Sequence, residues 1–129
     1  MKPYIIDTHA WVEYFRASKK AETFRKMVLD VRYQFITLEC SASELKLWAM
    51  RHNLEFDRFF EIVQSNSTLV PVDLELWLSG ASIRQEMRKT RKDFGLIDAL
   101  LLAHQRGQSC NLISGDPHFK GLPGVMFLG

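Results

Sequence analysis

The sequence predicts an α/β fold: one domain over residues 1–129, with a central, mainly parallel sheet of four to five strands flanked by helices. Three observations predict it. Short runs rich in β-branched or aromatic residues recur at Tyr4-Ile5-Ile6, Gln34 to Leu38, Leu69 to Val72, Asn111 to Ile113 and Val125 to Leu128. Segments of helical periodicity separate them, so strand and helix alternate along the whole chain. No internal repeat, low-complexity tract or long linker divides it, and 129 residues suffice to bury roughly two-thirds of the unfolded surface.

The first strand ends abruptly in the carboxylate of Asp7. From Thr8 to Ala17, Trp11, Val12, Tyr14 and Phe15 stand at mixed helical spacing. Ala21 to Val31 then reads as an amphipathic helix with Phe24, Met27, Val28 and Val31 on one face. After the second strand, Ser41 to His52 is expected to be helical, opening on Ser41-Ala42-Ser43-Glu44, which fits a capping box. Phe56 to Val63 is a further helix, and Ser65-Asn66-Ser67 breaks the chain before the third strand. Pro71 costs that strand a ladder bond and marks an edge position or the strand's end.

Asp73 caps the next helix, expected to reach about Lys92 with a break near Gly80. Leu96 to Gln105 is apolar nearly all round, hence a buried helix, with Gly107 closing it as a C′ residue. After the fourth strand, Ser114-Gly115-Asp116-Pro117 turns the chain toward the fifth.

Composition is that of an ordinary globular protein, with 47% hydrophobic and 25% charged residues. No uncharged apolar run approaches the ~20 residues of a membrane helix. Asp7 interrupts any signal-peptide core, so the expected compartment is the cytoplasm, with no membrane partner. A net charge of +2 identifies no partner by itself, which leaves local clustering to decide. Cys40 and Cys110 lack CxxC spacing and read as buried reduced thiols, a disulfide remaining open.

Four acids carry the functional reading: Asp7, Glu44, Asp98 and Asp116. Each has a purely local explanation. Asp7 and Asp116 can cap the helices that follow them, Glu44 completes the capping box, and Asp98 meets the positive end of a helix dipole. Asp98 strains that explanation, because Leu96, Ile97 and Ala99 to Ala103 wrap its helix in core. A carboxylate there costs several kcal/mol unless paired or coordinating a metal, whereas the macrodipole returns at most about 2 kcal/mol. In a parallel sheet all four acids fall at one edge, where ligands of open α/β sheets bind. Clustered like charges repel unless neutralised, and oxygen-only ligation points to Mg²⁺ or Mn²⁺. His9, His52, His104 and His118 lack metal-ligand spacing and read as surface or core residues, His9 and His118 lining the cleft at most.

These blocks together resemble a known family. Asp7-Thr8-His9-Ala10-Trp11, Ser43-Glu44-Leu45, Gly95 to Leu100 and Ser114 to Phe119 are similar to the motifs of PIN-domain ribonucleases, and the length and layout resemble VapC-type toxins of toxin–antitoxin pairs. The resemblance covers essentially the whole chain. It implies a Mg²⁺- or Mn²⁺-dependent endoribonuclease, often a homodimer, silenced by a small antitoxin protein over its cleft. It implies that Asp7, Glu44, Asp98 and Asp116 are the catalytic, metal-binding acids. Thr8 and Ser114 match positions where the family commonly has a small hydroxyl residue near the site. His9 and Gly115 replace the Asn or polar residue frequent at their positions, which bears on substrate preference rather than activity.

In such an enzyme Asp7, Asp98 and Asp116 are expected to ligate directly, and Glu44 to ligate or to orient the water as base. The basic run Arg84, Arg88, Lys89, Arg91, Lys92 ends a helix as a solvated cationic cap, steers the RNA backbone toward the acids, or does both. Trp11, Trp48 and Trp77 are candidates for stacking on bases, but core or partner-interface packing is the preferred reading for all three. Two alternatives stand beside the toxin: a housekeeping RNA-processing nuclease without antitoxin, and a catalytically silent PIN-like scaffold. A phosphoacceptor signalling domain lacks a suitably placed Lys near the last strands.

Overall fold

Five short strands form one all-parallel sheet in the computed structural model, which describes residues 2–129. They are β1 (Tyr4–Ile6), β2 (Phe35–Leu38), β3 (Thr68–Val70), β4 (Asn111–Ser114) and β5 (Val125–Phe127), in the order β3-β2-β1-β4-β5. β1 is central, with Tyr4 in register with Phe35 on one side and Asn111 on the other. The chain builds outward from β1 to β3, then crosses back to β4. The order therefore switches beside β1, and a crevice opens at the strands' carboxyl ends there.

Among the described residues six α-helices cover both faces: α1 (Thr8–Phe15), α2 (Glu22–Val28), α3 (Glu39–Arg51), α4 (Phe56–Asn66), α5 (Leu74–Met87) and α6 (Leu96–Gly107). Alternation along β1 divides the core. Ile5 packs with Leu112, Leu100 and Phe94 beneath α5 and α6, while Ile6 packs with Ile113, Trp11, Phe24 and Leu45 beneath α1 to α4. Burial on both faces is why these strands read as continuous apolar runs. No helix among the described residues is long and apolar enough to cross a membrane.

Several boundaries differ from expectation for identifiable reasons. α2 stops at Val28, and Val31 is 99% exposed rather than on its buried face. Asp30 turns the chain there, its carboxylate accepting from the Arg32 backbone and guanidinium. α3 begins at Glu39, directly after β2, so the Ser41–Glu44 capping box does not form. Ser41 is buried inside the first turn with its hydroxyl unpartnered, and Glu44 falls in the second turn. α4 continues to Asn66. α6 runs through Gly107, and Ser109 supplies the left-handed residue (φ 52°) while the Cys110 N–H closes back on the Gln105 carbonyl at 3.0 Å. Pro71 follows directly after edge strand β3, and both cysteines are free.

α5 is capped by Asp73, which accepts from the Leu76 N–H at 2.8 Å; it ends at Met87, short of Lys92, and is unbroken at Gly80. Gly80 is buried where α5 crosses α6, and a Cβ there would stand 2.8 Å from Leu100 Cδ2. Leu100 is itself fully buried, so it has little room to yield. Gly80→Val is therefore expected to lower unfolding free energy by about 1–3 kcal/mol in urea titration.

Candidate metal centre and its cleft

Asp7 is the first residue past β1, in extended backbone, and only 2% exposed. Its Oδ1 accepts from the Ala10 N–H at 2.7 Å, and its Oδ2 accepts from the Ser114 hydroxyl. Ser114, at the end of β4, also accepts from the Asp116 N–H at 2.9 Å, so one buried hydroxyl ties the first acid to the last. Asp116 Oδ1 accepts from the His118 N–H at 2.9 Å in the 3₁₀ turn Pro117–Phe119. Asp98, in the first turn of α6, accepts from the Gly95 N–H at 3.2 Å. Glu44 accepts from the Thr8 hydroxyl at 2.7 Å, linking α3 to α1. Three of the four acids thus do cap local backbone, and all four still line one cleft of about 460 Å³ at the sheet's switch point. Capping and convergence coexist because one carboxylate serves both.

The cluster is short of positive charge. Burial pushes Asp7 from 3.8 up to about 7, against the hydrogen bonds from Ser114 and Ala10, with the Asp116 charge adding to the rise. Burial likewise raises Glu44 and Asp98, aided in Glu44 by the charges of Asp98 and Asp116 and in Asp98 by that of Asp116. Thr8 and His118 oppose these rises by hydrogen bonding to Glu44 and Asp98 respectively.

Sequence reasoning missed the role of His118. Its Nδ1 lies 3.0 Å from Asp98 Oδ2 and 3.4 Å from Asp116 Oδ1, and these three groups offer ligand atoms all within 4.8 Å of one another. Cis donors of an octahedral ion at ~2.1 Å stand ~3 Å apart, so this donor set fits a divalent cation. His9 Nε2 approaches Asp116 Oδ2 at 3.4 Å from the cleft's lip. Only contact across the fold reveals His118: it reaches Asp98 through the turn after β4, which no sequence spacing records.

Thr8 and Ser114 sit at the acids and hold carboxylates. The basic run lies elsewhere, for none of Arg84, Arg88, Lys89, Arg91 or Lys92 lines this cleft. Arg88 Nε donates to the Phe94 carbonyl at 2.8 Å and Lys89 pairs with Glu86 at 3.0 Å. Arg91 donates to the His118 and Lys120 carbonyls, both at 3.1 Å, bracing the turn that carries His118. Arg84 is half-buried on α5 and Lys92 is exposed. The cations that do line the cleft are Arg16 and Arg51. Trp11 is fully buried and its indole donates to Thr37 at 3.0 Å, Trp48 lines the cleft, and Trp77 is exposed on α5.

The PIN domain profile matches residues 4–125 of the chain. Among solved structures, VapC20 of Mycobacterium tuberculosis, described as a sarcin–ricin-loop-cleaving toxin, is similar with a TM-score of 0.77 at 16% identity, covering 98% of this chain and 99% of that one. A toxin–antitoxin complex from Klebsiella pneumoniae is similar with a TM-score of 0.73 at 18% identity, covering 98% of each chain. VapBC2 from Rickettsia felis, bound to a promoter DNA fragment, is similar with a TM-score of 0.70 at 13% identity, covering 96% of each. No curated protein sequence matches. At these identities the structures speak for the fold, and the profile match, extending over nearly the whole chain, speaks for the family: this chain belongs to the PIN domain family.

Proposed function

We propose that this single PIN domain is a divalent-metal-dependent endoribonuclease, the toxin of a type II toxin–antitoxin pair, acting in the cytoplasm. The observation that carries the reading is the convergence of Asp7, Glu44, Asp98 and Asp116 at one sheet edge with too little positive charge to balance them. Asp7, Asp98 and Asp116 would hold Mg²⁺ or Mn²⁺, with His118 as a further donor or as the group fixing Asp98. Such an ion supplies charge neutralisation at the scissile phosphate and a water acidic enough to attack it. Glu44, raised by burial and steadied by Thr8, would ligate the ion or act as the base that orients the water. Ser114 keeps Asp7 and Asp116 in mutual register.

Toxin–antitoxin complexes among the structural neighbours support an antitoxin partner. The exposed stripe Leu74, Trp77 and Leu78 on α5 supports the expected homodimer, since apolar residues so spaced share one unpartnered face. Arg16 and Arg51 on the cleft lining add a positive field that would draw RNA in a salt-dependent way.

The test is cleavage of end-labelled single-stranded RNA in Mg²⁺, Mn²⁺ or EDTA. Cleavage with the ions and none in EDTA is expected; cutting that EDTA leaves unchanged, or no cutting with either ion, contradicts the reading. His118→Ala is expected to weaken Mn²⁺ binding about 10–100-fold by isothermal titration, as loss of a ligand or ligand-orienting group does.

A further inference from the structure

The cleft extends well beyond the acids. Its facing walls are α1 and α3. α1 with its C-cap residue contributes Thr8, Val12 and Arg16 at four-residue spacing; α3 contributes Glu44, Trp48 and Arg51 at spacings of four and three, with His52 beside them. Residues so spaced share a helix face, so each wall is a stripe running from the acid end to a guanidinium. Trp48 stands just over one helical turn, about 6 Å along the axis, beyond Glu44, and Arg51 lies most of a further turn on.

The Trp48 ring is held ready. It stacks on Phe15 at 6.0 Å and 27°, and Phe15 in turn stacks on the buried Trp11 at 5.9 Å and 15°. Phe59 meets it edge-on at 5.5 Å, and the His52 ring, its Nδ1 2.8 Å from the Trp48 carbonyl, lies 5.5 Å away. An aromatic column thus climbs from the core and ends in a half-buried ring at the cleft wall. Arg51 forms no ion pair among the described residues, and Arg16 has only Glu13, also on the lining, at 3.7 Å.

Resting on the nuclease reading above, we propose that this far end of the cleft is a subsite for one unpaired nucleotide flanking the scissile phosphate. Its base stacks on Trp48 and its outer phosphate meets Arg51 and Arg16. Single strands are bound by this combination, aromatic platforms beside cations that track the backbone, and splayed bases of unpaired RNA are the form such rings accept. One helical turn from Glu44 to Trp48 sets the ring at the scale of one nucleotide step from the acids. An apolar peptide segment matches the lining less well, because beyond Val12, Leu47 and Trp48 the far walls are charged.

The experiment measures cleavage of short single-stranded RNAs in Mn²⁺, with one abasic ribose moved stepwise along the strand. For wild type, an abasic ribose at one position beside the cut is expected to lower kcat/KM on the order of tenfold or more, mainly through KM. Trp48→Leu is expected to show that loss on intact RNA and to cut intact and abasic strands alike, while Trp48→Phe restores most of the discrimination. Arg51→Gln is expected to raise KM and flatten its salt dependence without altering the abasic profile. A flat abasic profile in wild type, or one that Trp48→Leu leaves unchanged while RNA is still cut, overturns the subsite alone. Should Trp48→Leu fail to fold, the abasic profile of wild type and the salt response of Arg51→Gln still decide. No cutting of any RNA by the wild type fails the nuclease reading beneath it and removes this one too.

Discussion

Asp7→Asn is expected to reduce Mn²⁺-supported RNA cleavage by on the order of 10³-fold or more while leaving the protein folded. The two halves of that expectation come from different atoms. Asn caps a helix about as well as Asp, so the amide oxygen can still accept from the Ala10 N–H. Ser114 can turn its hydroxyl to accept from the new amide where it now donates. What disappears is one of the cluster's negative charges, and with it an ion that would supply several kcal/mol of charge stabilisation. Asp98→Asn should behave alike, since its backbone bond comes from Gly95 and survives in the amide. The check is a cleavage time course for both variants alongside circular dichroism and a thermal melt. Native melts with silent chemistry fit the account; native activity in either variant does not.

Without metal, the protein is expected to become less stable as pH rises from about 4 to about 7. Asp7 has its folded-state value raised from 3.8 to about 7 by burial. Below pH 3.8 it is protonated in both states and costs nothing. Through the interval the unfolded chain gives up the proton while the folded chain keeps it, so unfolding gains ground with pH. Above about 7 both states are ionised and the loss is complete, at most about 4 kcal/mol from this residue alone. Glu44 and Asp98 are raised too and act in the same direction. Urea titrations in EDTA should therefore show a midpoint falling across this window, with Asp7→Asn flattening the fall and matching or exceeding wild type at pH 8. Adding Mn²⁺ at pH 7.5 should then restore wild type, by about 2.7 kcal/mol at a hundred times Kd, and do little for Asp7→Asn. A wild type most stable near pH 7 in EDTA, and weakened by Asp7→Asn there, would mean the carboxylate is adequately paired as it stands.

Much of this site was legible because strand ends and buried helices announce themselves. Tyr4-Ile5-Ile6 must stop at Asp7, Asn111 to Ile113 must turn near Asp116, and the apolar wrap around Asp98 demands a partner for its charge. Parallel pairing then brings these acids to one edge. Glu44 was placed at that edge by the helix that follows the second strand; that helix begins at Glu39, so the capping box offered as its local explanation does not form, and Thr8 rather than Ser41 settles the carboxylate. Periodicity alone carried the second helix on to Val31; it stops at Val28, and the Asp30–Arg32 turn follows. Gly80 looked like a break, and packing against Leu100 overrode its weak helix propensity. His118 was illegible because it meets Asp98 across the fold, and Arg16 and Arg51 because only the assembled fold brings α1 and α3 to one cleft.

The central claim is a place: one divalent ion among carboxylates drawn from β1, α6 and the turn after β4. Crystals grown with Mn²⁺ and measured at a wavelength where manganese scatters anomalously would locate it directly. The account predicts an anomalous peak within ligand distance of Asp7, Asp98 and Asp116 that is absent from Asp7→Asn crystals. A peak elsewhere, or none at saturating Mn²⁺, would contradict it.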